Sequence, residues 1–132
     1  MKFHCIRLHR GEDLLLSIKN LAQRENIKAA VVLSAVGCVL QGRVRNAGAT
    51  AIVDIPEHCE IVSLNGTVSA KRTHLHISLS KADLSVVGGH LVEGCIFDTT
   101  CELVFVDSPN VESDVEFDEE TGYDELIFKK RI

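Results

Sequence analysis

The chain has 132 residues, of which 45% are hydrophobic and 25% charged, with a formal net charge of −5. That length is one domain, a core of its size needs no disulfide or metal to hold it, and the proportions exclude a wholly disordered chain. The acidic balance weighs against unaided nucleic-acid binding, which needs clustered Lys and Arg to displace counterions; the cations, Arg45, Lys71 and Arg72 among them, read as scattered solvated charge.

Residues 3–9 are rich in strand formers and are broken by Gly11. Glu12 and Asp13 then suit the positive end of a helix dipole. Leu14, Leu15, Ile18, Leu21 and Ala22 share one helical face, so the pattern predicts a helix over 12–25 that stops at Asn26. Everything after it reads as strand. An apolar run at 28–36 is closed by Gly37, and a more polar strand follows at 39–45 before a turn at 46–48. A strand at 50–55 ends at Pro56, and strands at 60–64 and 67–69 flank Asn65-Gly66, a pair found at hairpin turns and at bulges. Further strands are expected at 73–80, 86–91 and 101–106. At 111–118 apolar and acidic residues alternate, with the acids solvated, and a turn at 119–122 leads back through Leu126, Ile127 and Phe128.

One helix among seven or more strands makes an α+β fold, a largely antiparallel sheet with the helix packed on it, in a single domain over 1–132. One helix cannot cover that much sheet. A homo-oligomeric contact is the expected cover for the remainder.

The five cysteines are Cys5, Cys38, Cys59, Cys95 and Cys101. They are odd in number, without a Cys-x-x-Cys pair, and several, Cys38 and Cys95 among them, lie in apolar runs where a free Cys is expected as a small buried hydrophobe. This is the pattern of free thiols in a reducing cytoplasm. The N-terminal residues carry no apolar signal-peptide core. The apolar stretch at 29–40 is too short for a membrane span, which takes ~20 residues.

The segment 73–94 carries the chemistry. His74 and His76 are two apart in a strand, so both imidazoles leave the same face. If the short loop closes a hairpin pairing Ser80 with Val86, His90 lies opposite His76 on that face, with the two Cβ atoms about 5 Å apart. Three converging imidazoles are the ligand set of an open zinc site with a fourth position free. A one-residue slip would send His90 to the other face, leaving a polar strand face at a subunit contact. Gly88 and Gly89 beside His90 let a ligand or another backbone approach, or form a bulge. His58 and Cys59 read as loop residues, and His4 and His9 point to opposite faces of the first strand. No phosphate loop, dinucleotide fingerprint or Ser-His-Asp arrangement is present. A zinc-dependent hydrolase would need a general base; Glu60, Asp83 and Glu93 are the only candidates to name, so whether the chain is an enzyme stays open.

The blocks Glu60-Ile61-Val62-Ser63-Leu64-Asn65-Gly66-Thr67, His74-Leu75-His76-Ile77-Ser78-Leu79 and Val87-Gly88-Gly89-His90-Leu91, with Gly94 just after, resemble the PPC (plants and prokaryotes conserved) domain family. So do Gly11-Glu12-Asp13-Leu14 and the run from Ile27 to Cys38, and the similarity covers nearly the whole chain. The resemblance implies a homotrimer packed around a three-fold axis. It implies a divalent metal, zinc, at His74, His76 and His90, because prokaryotic members resemble this chain in keeping all three. In plant relatives an attached AT-hook binds A·T-rich DNA. Here the nearest fragment, Gln41-Gly42-Arg43, lacks that pattern, so a DNA-associated regulatory role is a further reading without a hook to carry it.

Overall fold

The structure, a computed structural model, describes residues 1–132. In chain order the elements are β1 (Lys2–His9), α1 (Leu14–Arg24), β2 (Ala30–Arg45), β3 (Ile52–Ile55) and β4 (Cys59–Val68). There follow β5 (Thr73–Lys81), β6 (Val86–Leu91), β7 (Ile96–Asp107), β8 (Val111–Asp118) and β9 (Tyr123–Lys130). Seven strands form one sheet in the order β1-β7-β2-β4-β5-β6, with β3 on β2, and every pairing is antiparallel. The far end of β2 also pairs with β6, so the sheet curls back on itself. β8 and β9 make a separate hairpin.

The helix is the expected one. Leu14, Leu15, Ile18, Leu21 and Ala22 are its buried face. Its ends are closed by specific hydrogen bonds. Asp13 is the N-cap: its Oδ1 accepts from the Leu16 amide at 3.0 Å, one of the helix's unpaired donors. Its Oδ2 accepts from the Gly94 amide at 2.7 Å, tying the helix to the β6–β7 loop. At the other end Asn26 takes a left-handed φ of 49°. The Ile27 amide donates to Ala22 O at 2.9 Å and the Asn26 amide to Gln23 O at 3.2 Å. This is a Schellman stop, and Ile27 is buried beneath it. Because Asp13 serves two otherwise unpaired amides, Asp13→Ala is expected to lower unfolding stability by about 2 kcal/mol, read from urea denaturation. A loss under about 0.5 kcal/mol would contradict the double role.

Several strand boundaries differ from the expectation: β7 begins at Ile96 rather than at 101, and Cys59, read as a loop residue, opens β4. Gly37 does not end a strand: β2 runs through it, with register shifts against β7 at Val32/Ser34, Gly37/Val39 and Val39/Gln41. Bulges let one strand bend while keeping its ladder, and this curvature carries β2 from β7 round to β6. Asn65-Gly66 is not a turn either. Gly66 pairs with Leu75 inside β4 at a φ of +143°, and a Cβ there would collide with the His74 carbonyl. Glycine is needed at that position for close approach of β5.

Phe97, Phe105, Leu79, Val39 and Cys101 are wholly shielded in the core between α1 and the sheet. All five cysteines are free. Cys59, Cys95 and Cys101 are buried as small hydrophobes, and burial pushes the Cys101 thiol up to about 12. The opposite sheet face stays uncovered. Phe3 and Val31 both pair with Val106, forming one row across β1, β7 and β2. Phe3, Val31, Leu33, Val36 and Val62 are 45–60% exposed. The alternation along β8 does not divide into buried apolar and solvated acidic sides: Phe117 is exposed while Glu112, Asp114 and Asp118 are half-buried, and Tyr123 and Phe128 on β9 are exposed too. No helix is long and apolar enough to cross a membrane.

Candidate metal centre

The β5–β6 hairpin has the register that joins the histidines. Ser80 pairs with Val86 and His76 with His90. Leu75, Ile77 and Leu79 turn into the core, so His74 and His76 leave the other face. The three rings are mutual neighbours, with centroids 5.1 Å apart for His74–His76, 5.4 Å for His74–His90 and 5.6 Å for His76–His90. One ligating nitrogen from each ring lies within 4.8 Å of the other two. Tetrahedral zinc with Zn–N of ~2.0–2.1 Å needs nitrogens ~3.3 Å apart, so the rings would have to draw in on a bound ion. The donor chemistry also fits. His90 Nδ1 is buried and has no hydrogen-bond partner, an unsatisfied acceptor or donor that a protein interior seldom tolerates.

The surroundings favour the neutral form of two of these imidazoles, His90 and His74. Burial first, then the Arg45 guanidinium and the other two histidines, lower His90 to about 4. Burial, followed by Arg72 and His76, lowers His74 as well. A neutral imidazole is the form that binds a metal.

The rings form one wall of a cleft of about 1270 Å³, which Arg45, Lys71 and Arg72 also line. Arg45, at the end of β2, pairs with His90 across the β2–β6 contact. Its Nε is buried without a hydrogen-bond partner. Lys71 and Arg72 are engaged elsewhere: Lys71 reaches Asp114 at 3.1 Å and Arg72 Nη1 donates to Asp124 O at 2.7 Å. The cations that look scattered in the sequence thus gather at one cleft, and Arg45 is the one whose buried Nε has no partner. Asp124 and Glu125 are the carboxylate residues on the cleft wall; Glu60, Asp83 and Glu93 are not part of it.

Gly88 and Gly89 line the cleft, and strand packing alone already requires them. A Cβ on Gly88 would strike the Ile77 carbonyl, and one on Gly89 would sit 2.5 Å from the Arg45 carbonyl oxygen. His4 is buried near Asp107, their side chains 3.9 Å apart, while His9 is exposed.

Known proteins share this fold. The family model for the Plants and Prokaryotes Conserved domain matches residues 1–108. A hypothetical protein from Salmonella cholerae-suis is 30% identical, with 99% of this chain and 95% of that one superimposed at a TM-score of 0.95. A metal-containing protein from Archaeoglobus fulgidus is also 30% identical, covering 96% and 94% at a TM-score of 0.76. A Bacteroides thetaiotaomicron protein provisionally called DNA-binding shares the fold at a TM-score of 0.84, with 18% identity over 96% of this chain and 91% of that one. Among curated relatives, the bifunctional protein GlmU of a Synechococcus strain is 37% identical over 96% of this chain. The chain spans about a fifth of the length of the curated relatives it matches.

Proposed function

The chain belongs to the Plants and Prokaryotes Conserved domain family, and from that premise we propose that it is a cytoplasmic homotrimer binding one zinc ion per chain through His74, His76 and His90. The observation that carries this reading is the convergence of three depressed-basicity or solvent-facing imidazoles on one wall, with His90 Nδ1 buried and unpartnered. Zinc bound there would supply a Lewis-acidic position open to the cleft. The chain's own part is to hold three imidazoles on a rigid hairpin and to place a cation beside them. Arg45, with its unpaired Nε, gives that position a preference for a small anion such as a carboxylate or phosphate. That the Archaeoglobus relative is metal-containing supports the assignment of a metal.

Catalysis would need a base acting on zinc-bound water, and the carboxylates on the cleft wall are Asp124 and Glu125, of which Glu125 only partly offsets the lowering of His74 by burial, Arg72 and His76. A role on DNA has less support still. The fold likeness to the Bacteroides protein carries no function at 18% identity, and the chain's net charge is −5. The test is zinc content of the purified, untagged protein read together with its mass. One zinc or more per chain in a particle of three times 14.5 kDa is expected; a metal-free protein that takes up no added zinc would refute the function.

A further inference from the structure

The sheet face turned away from α1 brings together a second set of ligand-type side chains. Val39 is wholly buried and pairs with Phe97 on β7 and with Cys59 on β4, both also buried. The neighbours of these core residues therefore project from the other side. They are Cys38, Asp98 and, in the loop just before β4, His58. The register shift between Gly37 and Val39 leaves Cys38 out of the ladder with β7, and bulges of this kind re-aim a side chain. A sulfur, a nitrogen and an oxygen from the three residues lie within 4.8 Å of one another.

We propose that Cys38, His58 and Asp98 form a second metal site, which takes a borderline-soft divalent ion such as zinc or cobalt(II). The mixed donor set selects the metal class. Zinc accepts thiolate, imidazole and carboxylate together, whereas magnesium and calcium prefer oxygen throughout. The partners are already placed. His58 Nδ1 lies 3.2 Å from Asp98 Oδ2, and the other carboxylate oxygen, Oδ1, is steadied by Arg10 Nε at 3.5 Å. The Cys38 thiol has no contact better than Val39 O at 3.9 Å. Glu60 pairs opposite Cys38 and adds negative charge. Burial, then Asp98 and Glu60, raise the Cys38 thiol and keep it protonated without a cation. A dication reverses that balance: binding forms the metal–sulfur bond and releases the thiol proton to water, with no change of oxidation state.

The site is independent of the three-histidine centre, and its test removes that centre first. Full-length protein carrying His74→Ala and His90→Ala is titrated with cobalt(II). One equivalent should bind and produce a near-ultraviolet thiolate-to-cobalt charge-transfer band. Cys38→Ser on this background should abolish the band and Cys5→Ser should leave it intact. Asp98→Asn and His58→Ala should each weaken cobalt binding by about tenfold or more. His58 is an exposed loop residue, so its variant tests ligation without threatening the fold. Absence of the band in the folded double variant, or its survival in Cys38→Ser, would overturn the proposal.

Discussion

Replacing His90 by alanine is expected to weaken zinc binding at the histidine centre by more than about 100-fold. A residue that merely orients a metal ligand is worth about 10–100-fold, and removing one of three ligands outright costs more. The measurement is competition against a chromophoric chelator, made in a Cys38→Ser background so that only this centre is read. The same histidine has a pH signature. In the folded chain His90 is lowered from 6.5 to about 4, by burial first and Arg45 next. Metal-free protein therefore has the full contribution of neutral His90 above pH 6.5. As pH falls through the window down to about 4, the unfolded chain binds a proton that the folded chain resists, and stability drops. Urea midpoints of metal-free protein should fall across that window, and less steeply in His90→Ala. Zinc should oppose the fall, because it binds the neutral imidazole. Equal pH profiles for the two proteins would show that His90 is not held neutral.

Val31→Asp is expected to break the proposed trimer. Val31 lies mid-row between Val106 and the β4 strand, on the sheet face that α1 leaves bare. If that face meets its copies, three unpaired carboxylates enter one apolar contact. Each carries a penalty of several kcal/mol, and every 1.4 kcal/mol is tenfold in association. Sedimentation equilibrium at low micromolar concentration should move from three times 14.5 kDa towards 14.5 kDa. Circular dichroism should stay unchanged, since Val31 is 45% exposed in the isolated chain. A variant that remains trimeric would move the contact elsewhere, with the exposed Phe117, Tyr123 and Phe128 of the β8–β9 hairpin next in line. A wild-type chain that sediments as a monomer would remove the trimer altogether.

The parts of this molecule legible in its sequence are those governed by neighbours along the chain. The amphipathic face of α1 and its stop at Asn26 follow from helical spacing and a left-handed cap. The His76–His90 pairing follows from strand parity and a loop of four or five residues, too short to permit much slippage. Gly37 and Asn65-Gly66 were misleading for a common reason: glycine signals a break locally, yet here it serves bulges and close strand approach inside long curved strands. What lies across non-sequential strands was hidden. Arg45 joins the histidines only because β2 curls round to β6. Cys38, His58 and Asp98 meet only because β7, β2 and β4 are neighbours in an order unrelated to the sequence. Cys38 reads from its apolar run as a small buried hydrophobe, but the bulge between Gly37 and Val39 leaves it only half-buried.

Zinc-edge X-ray absorption of the Cys38→Ser protein, loaded with one equivalent of zinc, tests the central assignment most directly. Zinc held by His74, His76 and His90 gives three imidazole shells with nitrogen at ~2.0–2.1 Å, a light fourth atom from water or an anion, and no sulfur. The imidazole signal should fall by one ring in His90→Ala. A sulfur shell near 2.3 Å, or fewer than two imidazoles in the protein that retains all three histidines, would contradict it.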